Sequence, residues 1–163
     1  VILATTNAVN LTDGIDGLAT SVTTIILTCL VSIGIILGIK EVTLAGTILI
    51  GACLGFLIFN LHPAKVFMGD TGSLTLGATM ATIAILTSHE LSLAVIGGVF
   101  VIETLTVIIQ ISSVVLLKRR VFLMTPIHHH FERLGWKEND IVKLFWIVGF
   151  ILSMLALIYG VWL

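Results

Sequence analysis

The chain has 163 residues, 58% hydrophobic and 10% charged, with a net charge of −1 and a mean hydropathy of +1.20. A water-soluble domain carries about 25% charged residues, so this chain cannot cover a soluble surface and reads as a membrane protein. The near-zero net charge excludes a general basic affinity for nucleic acid. Cys29 and Cys53 lie inside apolar runs and read as small core residues without disulfide or metal spacing.

The sequence opens on Val1-Ile2-Leu3-Ala4, without an initiator Met or a signal-peptide pattern. The expectation is a piece of a longer polytopic protein, entered near the end of an apolar segment. The first polar cluster runs from Thr5 to Gly17. Within it Asn7, Asn10, Asp13 and Asp16 recur every third residue, which on a helix gives one polar stripe. Such a stripe at a membrane boundary can grip a hydroxyl-rich ligand or a cation, and it exceeds what a helix cap requires. It lacks the alternating acids of an EF-hand loop.

Leu18 to Ile39 is the first full apolar span and Val42 to Phe59 the second, each close to the roughly 20 residues a bilayer demands. Gly51 and Gly55 form a GxxxG, which permits close helix contact. Next comes a polar island, Phe59 to Ser73, holding Asn60, His62, Lys65, Asp70, Thr71 and Ser73. Pro63 disfavours the helical region for its predecessor, so a helix should stop near Leu61. Gly69 and Gly72 flank Asp70-Thr71 and permit a tight turn. A carboxylate there can hold a divalent metal, and the first amides of the next helix can hold an anion. The plainer alternative is that Asp70 or Ser73 merely caps that helix.

Leu74 to Ser88 is a short third span, and Leu91 to Leu117 is a fourth, longer than needed, with Gly97-Gly98 as the place for a bend. Glu103 sits in its middle, facing protein or water, and Gln110 lies two turns on. Lys118-Arg119-Arg120 ends it, and a third polar cluster contains Pro126-Ile127-His128-His129-His130-Phe131-Glu132. Consecutive helical residues point about 100° apart, so these imidazoles do not form one zinc site. Near an anionic ligand they can donate hydrogen bonds or carry a proton. Ile141 to Leu163 is the last span; Lys143 can snorkel, and Trp136 and Trp162 fit interfacial anchoring.

The expected fold is all-α, a polytopic transmembrane helix bundle of five full spans plus the end of a preceding one, with residues 1–163 as a single membrane domain. Counting crossings puts the three polar clusters on one membrane face, together with Lys65, Lys118, Arg119, Arg120, Arg133 and Lys137. The positive-inside rule makes that face cytoplasmic. A transporter would thread polar residues to both faces, and a bare scaffold gives no reason for the acids and imidazoles to converge.

The motifs Asn7-Ala8-Val9-Asn10-Leu11-Thr12-Asp13-Gly14-Ile15-Asp16-Gly17-Leu18, Phe67-Met68-Gly69-Asp70-Thr71-Gly72-Ser73 and Pro126 to Glu132 together resemble those of phospho-N-acetylmuramoyl-pentapeptide transferases. Relatives that transfer N-acetylglucosamine-1-phosphate to the same lipid share the first two motifs in looser form; the triple His favours the muramoyl-pentapeptide enzymes. The resemblance implies a Mg²⁺-dependent phosphoglycosyl transfer in the bacterial inner membrane. Undecaprenyl phosphate attacks the β-phosphate of UDP-MurNAc-pentapeptide, and UMP leaves. It implies Asp70 as the Mg²⁺ ligand, and Asp13, His129 and His130 with it as the catalytic group. Asn10, Asp16, Asn60, Phe67, Gln110 and His128 would contact substrate, with Phe67 stacked on the uracil. Those families carry ten spans and an Asp-Asp pair absent here, so this chain corresponds to a C-terminal half, expected to be inactive alone. The resemblance leaves a homodimer open.

Overall fold

A computed structural model describes residues 1–160 and contains eight helices among them, with no strand. They are α1 (Ile2–Thr12), α2 (Leu18–Ile36), α3 (Lys40–Asn60), α4 (Gly69–Leu86), α5 (Glu90–Ile96), α6 (Gly98–Leu117), α7 (Ile127–Arg133) and α8 (Glu138–Gly160). Trp162 lies outside the described residues. Four of the helices, α2, α3, α6 and α8, are long and apolar enough to cross a bilayer. α4 corresponds to the expected short third span, but its helix starts at Gly69, so Asp70, Thr71 and Ser73 occupy its first turns and dilute its apolar length.

Helix ends follow local chemistry. α3 stops at Asn60, and Leu61 is extended with ψ 147°, as the Pro at 63 requires. The long segment expected from 91 to 117 breaks between Ile96 and Gly98, with Gly97 joining α5 to α6. α2 starts after Gly17, whose φ of +76° suits a residue without Cβ.

α2 is the central helix. Leu18, Ile26, Leu27, Leu30 and Ile33 are fully buried, and α2 packs against α3, α8 and α4. α3 buries only Val42, Gly46, Cys53 and Asn60 and leaves Leu44, Ile48, Leu54 and Ile58 outward. In lipid, apolar burial gives little drive to helix association, and close packing replaces it. Gly46 shows this: a Cβ there would lie 2.4 Å from Cγ2 of Val31. The GxxxG pair does not pack within the chain, since nothing lies within 4 Å of a Cβ at Gly51 or Gly55. Several hydroxyls within the spans are satisfied locally. The hydroxyls of Thr24, Thr28, Ser32, Thr43, Thr47 and Thr104 each donate to a carbonyl four residues back.

α1 packs along α4, and this contact positions the site. Thr6 meets Gly77 while Asn10 meets Ser73, so the two helices run antiparallel. A Cβ at Gly77 would lie 2.6 Å from Cα of Thr6, so only glycine permits this approach.

Candidate active site

The site begins where α1 ends. Nδ2 of Asn10 donates to Oδ1 of Asp70 at 2.8 Å and to Oγ of Ser73 at 3.0 Å. One amide thus ties the first polar cluster to the island, across 60 residues. Ser73 does not cap α4; its hydroxyl donates to the carbonyl of Gly69, and the helix has no side-chain cap. Of the two glycines expected to form the turn, Gly69 does so with φ +64°, while Gly72 lies within the helix against Met68.

Asp13 is the C-cap of α1 and sits beside Asp70. Burial pushes its carboxyl above the usual value of 3.8, a hydrogen bond with the Gly69 backbone pulls it down, and the Asp70 charge pushes it up again. Two carboxylates from distant segments therefore feel each other's charge near the start of α4.

The four-residue polar stripe is not one helical face. α1 ends at Thr12, Asp13 adopts φ −78° and ψ 52°, and Asp16 lies beyond in the turn before α2. Asn7 uses its amide on its own helix, donating to the carbonyl of Leu3 at 2.7 Å. Leaving the helix sends Asp16 away from Asp70. Its Oδ2 accepts from the Ala64 amide at 2.9 Å and faces Nδ1 of His62 at 3.0 Å, while its own backbone N–H donates to Oε1 of Glu138 at 2.6 Å. Glu138 Oε2 lies 3.1 Å from the same His62 nitrogen. Asp16, His62 and Glu138 offer ligand atoms all within 4.8 Å of one another, so this cluster pins the α1–α2 turn, the island and the start of α8 together. Glu138 carries no sequence signal beyond being an acid three residues ahead of the last apolar span.

Asn60 is 3% exposed; it accepts from the Thr20 hydroxyl at 2.8 Å and donates to the Val66 carbonyl at 3.0 Å. It clamps the loop whose tip, Phe67, is 74% exposed. Gln110 is likewise engaged. Its Oε1 accepts from the amides of Val121 and Phe122, and its Nε2 donates to the Phe122 carbonyl at 3.0 Å. It folds the loop after α6 back along that helix, ahead of the imidazoles.

The His run lies in the first half of α7, over the acidic turn. A Cβ at Gly14 would fall 2.4 Å from Nε2 of His128 and 3.3 Å from Nε2 of His129. His128 is fully buried with Nδ1 3.1 Å from Oε1 of Glu103, which is also fully buried. The charge in the middle of the fourth span therefore has its partner within this chain. His129 pairs with Glu132, and His130 accepts from the Leu123 amide at 3.1 Å. Acid, amide and imidazole groups from all three polar clusters thus meet around one turn.

The profile of the family described as glycosyl transferase family 4 matches residues 1–88, which carry α1 to α4 with Asn10, Asp13, Asp16, Asn60, Phe67 and Asp70. The chain belongs to glycosyl transferase family 4. It is also similar over its whole length to proteins named phospho-N-acetylmuramoyl-pentapeptide-transferase. The one from Shouchella clausii is 52% identical over 163 residues, covering 100% of this chain and 50% of the relative. The one from Clostridium beijerinckii is 54% identical over 155 residues, 95% of this chain and 48% of the relative. The one from Pelagibacter ubique is 47% identical over 172 residues, 96% of this chain and 48% of the relative. This family member spans about half the length of the curated relatives it matches. With its apolar helices, membership makes it a multi-pass membrane protein.

Proposed function

We propose that this chain is the C-terminal half of a ten-span transferase, with residues 1–163 as a single membrane domain. The reaction moves phospho-N-acetylmuramoyl-pentapeptide from its UDP-activated form to undecaprenyl phosphate, releasing UMP, at the cytoplasmic face of the bacterial inner membrane. The observation that carries the reading is the Asn10 amide bridging Asp70 and Ser73, with Asp13 hydrogen-bonded to the Gly69 backbone next to Asp70 in sequence. A lipid phosphate is confined to the headgroup plane, so a polar turn at the membrane boundary is where it meets a soluble nucleotide.

The donor set fits Mg²⁺, which takes carboxylate oxygens and keeps several waters. Asp70, exposed at the entrance of α4, and Asp13 beside it are the residues that would hold it. When bound, the metal neutralises charge on the pyrophosphate as it spreads in the transition state. The chain's own residues do the positioning. Asn10 orients the Asp70 carboxylate, and Asn60 fixes the loop that presents Phe67 as a stacking face for the uracil. Gln110 holds the approach to α7, and the imidazoles wall the turn. The Asp16–His62–Glu138 cluster includes an imidazole and suits Mg²⁺ less well.

The test is Asp70→Asn in the full-length protein, assayed with undecaprenyl phosphate and UDP-MurNAc-pentapeptide. Turnover should fall about 100-fold or more while the thermal midpoint in detergent holds. Retained turnover would refute the role.

A further inference from the structure

Three consecutive imidazoles invite the reading that they act alike. Their Nδ1 partners differ. His130 Nδ1 accepts a hydrogen bond from the backbone N–H of Leu123 at 3.1 Å. A backbone amide only donates, so that nitrogen is bare and the ring proton sits on Nε2. Among the described residues this Nε2–H has no partner, and it is not one of the buried unpaired atoms.

His128 is the opposite case. Its Nδ1 faces a Glu103 oxygen at 3.1 Å, both side chains are fully buried, and its Nε2 has no partner. A buried orphan N–H is rarer than an under-used acceptor. The proton therefore sits on Nδ1, donated to Glu103, and Nε2 points at Gly14 as a lone pair. His129 follows His128: its Nδ1 faces Glu132, its ring lies 4.2 Å from the His128 ring, and its Nε2 faces the same glycine.

We infer that the His run is split by tautomer: Glu103 fixes His128 with a bare Nε2, the Leu123 amide fixes His130 with an Nε2–H, and His130 is the member that donates to an anionic substrate group. This deepens the transferase reading and rests on it. His130 supplies the hydrogen bond to a phosphate or carboxylate oxygen. His128 rejects such an oxygen, since two acceptors repel, and instead holds the His129 ring over the acidic turn. Glu103 is a positioning residue acting through His128, which gives a purpose to a carboxyl placed in the middle of a span.

Two amide side chains separate the tautomers. The Asn amide nitrogen falls near imidazole Nδ1 and the Gln amide nitrogen near Nε2. In the full-length protein, His130→Gln should keep turnover within about tenfold and His130→Asn should lose about 100-fold or more. The order should reverse at position 128, with His128→Asn the milder change and His128→Gln the harsher. ¹⁵N spectra of the imidazoles, assigned by these same variants, should place the proton on Nε2 of His130 and on Nδ1 of His128. Glu103→Leu should shift the His128 signal and leave that of His130 in place. A parallel substitution pattern at the two positions, or the same tautomer at both, overturns the inference. If full-length protein transfers nothing, the transferase reading has failed, and the ¹⁵N assignment still decides the tautomer split.

Discussion

Replacing Gly77 by alanine tests how the site is assembled. A Cβ at this position would lie 2.6 Å from Cα of Thr6, 2.9 Å from the Thr5 carbonyl oxygen and 3.0 Å from the Thr6 nitrogen. These are backbone atoms, so no rotamer change relieves the contact. Non-bonded carbons settle at about 3.5–4.0 Å, so α1 and α4 must part by about 1 Å. One helical turn away, the same separation stretches the 2.8 Å bond from Asn10 to Asp70 beyond hydrogen-bond reach. Overpacking of this kind costs about 1–3 kcal/mol. Gly51→Ala and Gly55→Ala are the controls, because nothing lies within 4 Å of a Cβ at either. An alanine in a helix gains about 0.5–1 kcal/mol over glycine, so the controls should be neutral or mildly stabilised. Reversible unfolding in mixed micelles would measure all three variants. Gly77→Ala matching Gly51→Ala in stability would refute the account of the α1–α4 contact.

Two further substitutions probe the site. The Asp13 carboxyl titrates above 3.8 in the folded protein, so the folded state holds that proton more tightly than the unfolded chain does. Its contribution to stability is full below the unfolded value and is lost as pH rises through the folded one. Asp13→Asn should therefore raise the unfolding midpoint at neutral pH and flatten the decline across that window; an unchanged pH profile contradicts this. Glu138 accepts the Asp16 amide at 2.6 Å and faces His62, so Glu138→Ala should cost about 1.5–3 kcal/mol in the same micelle assay. It should also raise hydrogen exchange at the Asp16 amide, and exchange as slow as in wild type would exclude the contact.

Much of the helical frame was legible because its signals are local. Pro63 ends α3, Gly97-Gly98 breaks the fourth segment, and the apolar runs mark α2, α3, α6 and α8. The α4 boundary was misjudged because Asp70 and Ser73 look like a loop by composition, yet they form helix with no side-chain cap. The stripe at Asn7, Asn10, Asp13 and Asp16 assumed a helix continuing past Thr12, whereas the Gly14 and Gly17 positions turn the chain and send Asp16 to His62 and Glu138. The family resemblance implies Asn60 and Gln110 as substrate contacts. The structure shows each amide tied to loop backbone, at Val66 and at Val121-Phe122. These partners, like the Glu103–His128 pair, are set by packing between segments far apart in sequence, and no periodicity encodes them.

The central claim is that the α1–α2 turn, the island and the His helix share one membrane face. Single cysteines at Asp13, Thr71 and Arg133, in a full-length background lacking Cys29 and Cys53, report it directly. A membrane-impermeant maleimide applied to inside-out vesicles should label all three and, applied to right-side-out vesicles, none. Labelling of any one of them from the opposite side alone would contradict the account.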